Sequence, residues 1–163
     1  MIDKKRIYEI LDENGIEYEA YDHVPVYTVE EADALDIPYA EYGLKNLFLK
    51  DKKKNYYLVS LHGNKAIDLK SLKNALGCTP LHFASEEQLL EHTGLLKGHV
   101  TPFGVLNSEK GNVLSVFDTA LKGQTIGIHP MSNDATVFMK FDDLERLILD
   151  SGYEIEYIDV DNI

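Results

Sequence analysis

Leu44 to Gly63 read LKNLFLK, DKKKN, YYLVSLHG, and this stretch decides the fold. Two runs rich in leucine, aromatic and β-branched residues flank five polar ones, the pattern of two strands joined by a tight, lysine-rich hairpin. Upstream, Asp3 is placed to cap a helix whose apolar positions Ile7, Ile10 and Leu11 recur at helical spacing, with Gly15 to end it. Ile16 to Tyr21 alternates as a half-buried strand. Thr28-Val-Glu-Glu31 then has capping-box spacing for a second helix, which Pro38 is expected to close. Downstream, Asp68 caps a helix running to Leu76 before Gly77, and Ser85-Glu-Glu-Gln88 caps another that ends near Gly94. The second half is strand-rich: VLN (105–107), NVLSVFD (112–118), TIGI (125–128) and ATVFMKF (135–141) all read as strands. Phe141 to Asp150 is helical with Gly152 after it, and YEIEYIDV (153–160) supplies a closing strand. Without regular βα alternation, these elements predict one α+β domain over residues 1–163, with helices flanking a curved, largely antiparallel or mixed sheet.

Composition bounds the function classes. The chain has 163 residues, 44% hydrophobic and 27% charged, which suits one globular core that needs no staples. Cys78 has no partner within the chain, and the opening MIDKKRIYEILDENG has neither an apolar signal core nor a cleavage site, so a reducing, cytoplasmic setting is expected. No stretch approaches the roughly eighteen apolar residues of a membrane span, so no membrane partner is expected. The net charge of −12 argues against a long polyanion such as DNA. The average hides an asymmetry, because Lys45 to Lys73 holds eight lysines and two acids, a net +6 against −18 elsewhere. Such a segment is either a solvated hairpin tip or an anion-binding face.

Three places unite unusual residue types with suitable backbone. Lys45-Asn46 opens the first hairpin strand, where pattern alone puts the lysine on the face opposite Leu44. Gly98-His-Val-Thr-Pro102-Phe-Gly104 is a loop stiffened by proline and able to aim backbone N–H groups at a ligand oxygen. His129, before Pro130, is held extended between two strands. Each alone reads as structural.

Together, GLKNLFLKD around Lys45, GHVTPFG (98–104) and HPMSNDAT (129–136) resemble the YbaK/ProX family of aminoacyl-tRNA editing domains, most closely its stand-alone prolyl-tRNA editing branch. The likeness runs from the first helix to about residue 158. It implies a compact fold with a curved, barrel-like sheet and a hydrolase that removes a wrongly attached amino acid, alanine first, from tRNA charged by prolyl-tRNA synthetase. By matching position, the resemblance gives Lys45 contact with the terminal adenosine or the ester, aided by Asn46. It gives Gly98, Val100, Thr101 and Pro102 a loop whose amides hold the aminoacyl group, and His129 the wall of a small pocket. His99 receives no role. Val29 and Ala32 of the second helix are expected to narrow that pocket, and Lys50, Lys52, Lys53 and Lys54 to bind the acceptor end beside Lys45. The implied partners are aminoacyl-tRNA and, transiently, prolyl-tRNA synthetase.

No cofactor is implied. The six histidines lack metal-ligand spacing, with no H-E-x-x-H and no C-x-x-C, and Cys78 has no base beside it in the sequence to make it a nucleophile. The rival readings are a deacylase of the same family acting on cysteinyl- or seryl-tRNA, and a non-catalytic aminoacyl-tRNA binder.

Overall fold

The computed structural model describes residues 1–163. Helix α1 (Lys4–Glu13) begins where Asp3 accepts a hydrogen bond from the Arg6 N–H, and it buries Ile7 and Leu11 completely. Strand β1 (Tyr18–Asp22) follows, starting two residues later than the alternation suggests, because the Ile16 N–H still donates to the Leu11 carbonyl at the end of the helix.

Helix α2 (Val29–Asp33) is short. Thr28 Oγ1 accepts from the Glu31 N–H at 3.1 Å, but the Glu31 side chain returns no bond, so only half of the expected capping box forms. Pro38 does not close this helix. It stands at the entrance of a separate turn, α3 (Tyr39–Tyr42), where the fixed φ of proline suits a helix start as well as a stop.

Strands β2 (Leu44–Lys50) and β3 (Tyr56–His62) form the expected antiparallel hairpin, with Lys45 opposite Leu61 and Lys50 opposite Tyr56. Its turn is organised by Asp51, buried to 3% exposure, whose carboxylate accepts from the N–H groups of Lys53 and Asn55 and from the Asn55 amide. Helices α4 (Leu69–Leu76) and α5 (Glu86–Thr93) begin at Asp68 and Ser85 and end at Gly77 and Gly94, as the sequence predicts, and Ser85 and Gln88 complete a reciprocal capping box. Between them β4 (His82–Phe83) pairs with the outer edge of β2.

The run VLN is not a strand. Pro102–Asn107 forms a 3₁₀ turn with proline in its first position, and Phe103, Gly104 and Val105 are buried there. A short apolar run fits a buried turn as well as a strand, and periodicity alone does not separate them. The remaining elements are β5 (Val113–Asp118), β6 (Thr125–Ile128), β7 (Ala135–Lys140), α6 (Phe141–Asp150) and β8 (Ile155–Ile158).

Two sheets result. One is antiparallel in the order β1-β7-β6, and the other is mixed in the order β4-β2-β3-β5-β8, with β3-β5 and β5-β8 parallel. They meet at a bridge between Gly43 and Gly127 and do not close into a barrel. Gly43 is needed at that junction, since a Cβ there would lie 2.2 Å from the Tyr39 ring. The main core, including Phe103, Phe117, Phe141 and Leu144, lies between the sheets and helices α1 and α6. A smaller one packs α4 onto the mixed sheet through Leu72, Val59 and Val116. No helix is long and apolar enough to cross a membrane.

Candidate active site

Four segments meet where the two sheets join, around a cavity of about 260 Å³. The start of β2 brings Leu44, Lys45 and Asn46; the loop after α5 brings Gly98 and Val100; the β6–β7 loop brings His129; and α2 with its approach brings Tyr27, Val29 and Ala32. Thus Lys45, Asn46, Gly98, Val100, His129, Val29 and Ala32, separated by up to a hundred residues in the chain, line one space. Thr101 and Pro102 are fully buried behind this lining, and Thr101 Oγ1 has no hydrogen-bond partner.

Hydrogen bonds fix the walls. The Asn46 amide donates to the Val100 carbonyl at 3.4 Å and its oxygen accepts from the Ser60 hydroxyl at 2.6 Å, tying β2 to the 98–101 loop. The β6–β7 loop is clasped to the approach of α2, since Val26 N–H donates to the Asn133 carbonyl and the Asn133 amide to the Val26 carbonyl. Tyr39 lies under the floor, its hydroxyl donating to the Leu44 carbonyl at 2.9 Å and its ring stacked on His129. Burial, with the nearby Asp33 charge, pushes the Tyr39 phenol up to about 12, so it remains a donor.

His129 is 9% exposed. Its Nδ1 lies 3.0 Å from the Ala135 carbonyl, which only accepts, so Nδ1 carries the proton and Nε2 keeps its lone pair. Burial lowers the imidazole below its ordinary value, the neighbouring His23 and His99 add to this, and the Ala135 bond and Asp134 oppose it. The ring is therefore neutral at pH 7.

Lys45 forms no ion pair. In the 98–101 loop, the N–H groups of Gly98, Val100 and Thr101 donate to no protein acceptor, whereas those of His99 and Gly104 are used within the loop. A half-buried cavity lined by an unpaired ammonium and by Gly98 and Val100, whose N–H groups are unspent, is suited to an anionic or strongly polarised oxygen. Its lining contains no carboxylate. No trio of His, Cys, Asp or Glu side chains is gathered closely enough to hold a metal ion. Cys78 lies elsewhere, half-buried against Tyr57, with its thiol pushed up by burial, the opposite of an activated nucleophile.

The lysine cluster is not beside Lys45. Lys50 is five residues along the strand, about 17 Å away at roughly 3.3 Å per residue, and Lys52, Lys53 and Lys54 lie beyond it at the exposed tip. Lys65 is already engaged, pairing with buried Asp118 at 2.7 Å and with Asp161 at 3.1 Å. Tyr27, Leu44 and Tyr39 were not singled out by sequence. The only signal for Tyr39 is an aromatic residue following Pro38 just upstream of the hairpin.

A family model for the aminoacyl-tRNA editing domain matches residues 23–147, which contain every residue lining this cavity. The chain belongs to that family. It is 42% identical over 159 residues to the prolyl-tRNA editing protein ProX of Acetoanaerobium sticklandii, covering 96% of this chain and 97% of that one. It is also 35% identical to the prolyl-tRNA synthetase associated domain-containing protein 1 of Danio rerio, over 89% of this chain and 80% of the relative. Among solved structures, the hypothetical protein APE2540 superposes with a TM-score of 0.71 at 23% identity, over 93% of this chain and 97% of the other. A proposed trans-editing enzyme for prolyl-tRNA synthetase gives 0.68 at 20% identity, over 94% of both. The two superpositions carry the fold. As a member of the editing family, the chain is an aminoacyl-tRNA deacylase, a hydrolase of the ester between amino acid and tRNA.

Proposed function

We propose that the cavity at Lys45 removes alanine from tRNA mischarged by prolyl-tRNA synthetase, acting in trans in the cytoplasm. The observation that carries this is the convergence of Lys45, of Gly98 and Val100 with their N–H groups unspent, and of the neutral His129 on one small space. The likeness to a prolyl-tRNA editing protein supports the choice of tRNA.

An aminoacyl ester is already activated, so positioning and charge stabilisation suffice without a covalent intermediate. Water adds to the ester carbonyl carbon, and the oxygen that becomes negative is held by the loop amides. The bond to the ribose 3′-oxygen then breaks, and the proton lost by water ends on that oxygen. The cavity lining has no carboxylate, and the vicinal ribose 2′-hydroxyl, carried by the substrate beside the ester, relays this proton, with the His129 Nε2 lone pair as the other acceptor in the lining. Lys45, with Asn46, holds the ribose end and polarises the ester.

Selectivity follows from size. One methylene is worth only about 1–3 kcal/mol in a synthetase pocket, so a site built for proline admits alanine, and a second, smaller sieve is required. His129, braced by Tyr39 and Ala135, forms the rigid wall, and Val29 and Ala32 line the same cavity. A deacylation assay on alanyl-, cysteinyl-, seryl- and prolyl-tRNA tests the assignment. Alanine should be released at least tenfold faster than the others, and His129→Ala should bring measurable release of proline. Equal rates on all four, or binding without release, would refute it.

The lysine tip has a different place in this reading from the one its sequence suggests. At about 17 Å or more from Lys45, it meets phosphates several nucleotides before the terminal one. Replacing Lys52, Lys53 and Lys54 together by alanine should raise KM about 3- to 10-fold and flatten its salt dependence while sparing kcat. An unchanged salt slope would remove the tip from the tRNA path.

A further inference from the structure

A second concavity of about 430 Å³ lies beside the first and shares Asn46, Gly98 and Val100 with it. Phe48 and Leu89, both buried, form its floor. One wall is Phe83 on the edge strand β4, a residue 61% exposed. The rim carries Glu86 and Lys97, which pair with each other at 3.6 Å.

We propose that this groove is a nucleobase subsite, with the Phe83 ring as the stacking face for the adenine of the tRNA's terminal nucleoside. The inference rests on the deacylase reading above and adds to it the place of the base. If the ester-bearing ribose lies at Lys45, Asn46 and Gly98, its base, attached to the same sugar, reaches the neighbouring apolar space, whereas the other adjoining concavity, at Leu44, is lined by Lys65 and Asp118. The apolar space begins at the residues it shares with the first cavity. Its chemistry suits a π-face, offering a broad apolar floor and an accessible aromatic ring whose rim charges neutralise each other. Beyond Phe83 the surface continues along the pairing of β4 with β2, through His82 opposite Lys50, to the lysine tip. A single strand leaving the groove in that direction meets cations where its preceding phosphates would lie.

Exposed Phe83 should be replaceable without loss of fold, which an unchanged Tm would establish. Three alanine esters decide the matter: full-length alanyl-tRNA, alanyl-adenosine, and the alanyl ester of methyl riboside, which keeps the reacting bond and lacks the base. Phe83→Ala should lose about tenfold in kcat/KM on the first two, mostly in KM, and nothing on the third. Phe83→Trp should retain activity on all three. Equal kinetics for Phe83→Ala and wild type on alanyl-adenosine would overturn the subsite, as would an equal loss on all three esters, which would make Phe83 a support of the catalytic pocket. A loss seen with tRNA alone would assign the groove to another nucleotide and also overturn it. Failure of the wild-type protein to release alanine from any ester is a separate result, which removes the deacylase reading and the subsite together.

Discussion

Lys45→Met is expected to lower kcat/KM for alanyl-tRNA by about 10- to 100-fold while leaving Tm within about a degree of wild type. The stability half follows from the absence of any ion pair at Lys45 and from its half-exposed position, so the folded state loses little when the charge goes. Methionine keeps an unbranched apolar stem and therefore separates charge from packing. The activity half follows from charge-assisted hydrogen bonds, worth roughly 1.5–3 kcal/mol when the partner is held in a partly desolvated cavity. Lys45→Arg should not restore the rate, because a planar guanidinium delivers its donors in a different geometry from a compact ammonium beside Asn46. Single-turnover deacylation with the three proteins measures this. Near-wild-type turnover by Lys45→Met would leave the loop amides as the whole of the electrostatic machinery.

Elements whose signals are local were legible. Asp3, Asp68 and Ser85 cap the helices they announce, Gly77 and Gly94 end two of them in the left-handed conformation, and LKNLFLK and YYLVSLHG pair as expected. The misreadings share one cause, which is that tertiary burial settles what periodicity leaves open. Val105, Leu106 and Asn107 form a 3₁₀ turn because Phe103 and Val105 fill the core from beneath, and Pro38 starts a turn because Tyr39 must reach the Leu44 carbonyl. Strand order was not legible, and with it the division into two sheets meeting at Gly43 and Gly127. Parallel neighbours such as β3 and β5 are separated by some fifty residues, and no local pattern records which strand returns to which edge.

The site divides in the same way. Lys45, Gly98 and His129, singled out through resemblance, line one cavity together with Val29 and Ala32. Tyr39 was missed because its role, stacking on His129 and bonding to β2, exists only once three separate segments are brought together. The lysine tip was misplaced for a geometric reason. Adjacency in sequence along a strand is distance in space at about 3.3 Å per residue, whereas Val100, fifty-four positions from Asn46, is its hydrogen-bond partner.

Gly98→Ala should have the largest effect of any substitution in the loop, a fall of about 100-fold in kcat/KM. Gly98 has φ +81, where an L-residue costs roughly 1–2 kcal/mol, and a Cβ there would lie 2.6 Å from Tyr27 Cδ1. Tyr27 is 64% exposed, so its ring is able to swing away and the fold survives, with Tm lower by about 2–8 °C. The backbone has less freedom. Relief of the strained φ shifts the N–H groups of Val100 and Thr101, and a displacement of about 1 Å at such donors is enough for a 100-fold loss. The double variant Gly98→Ala with Tyr27→Ala separates the two causes. It removes the ring contact and keeps the strained φ, so it should regain neither stability nor rate. Recovery of both would place the fault in the ring, and activity of the single variant within twofold of wild type would show that the loop amides do not hold the developing charge.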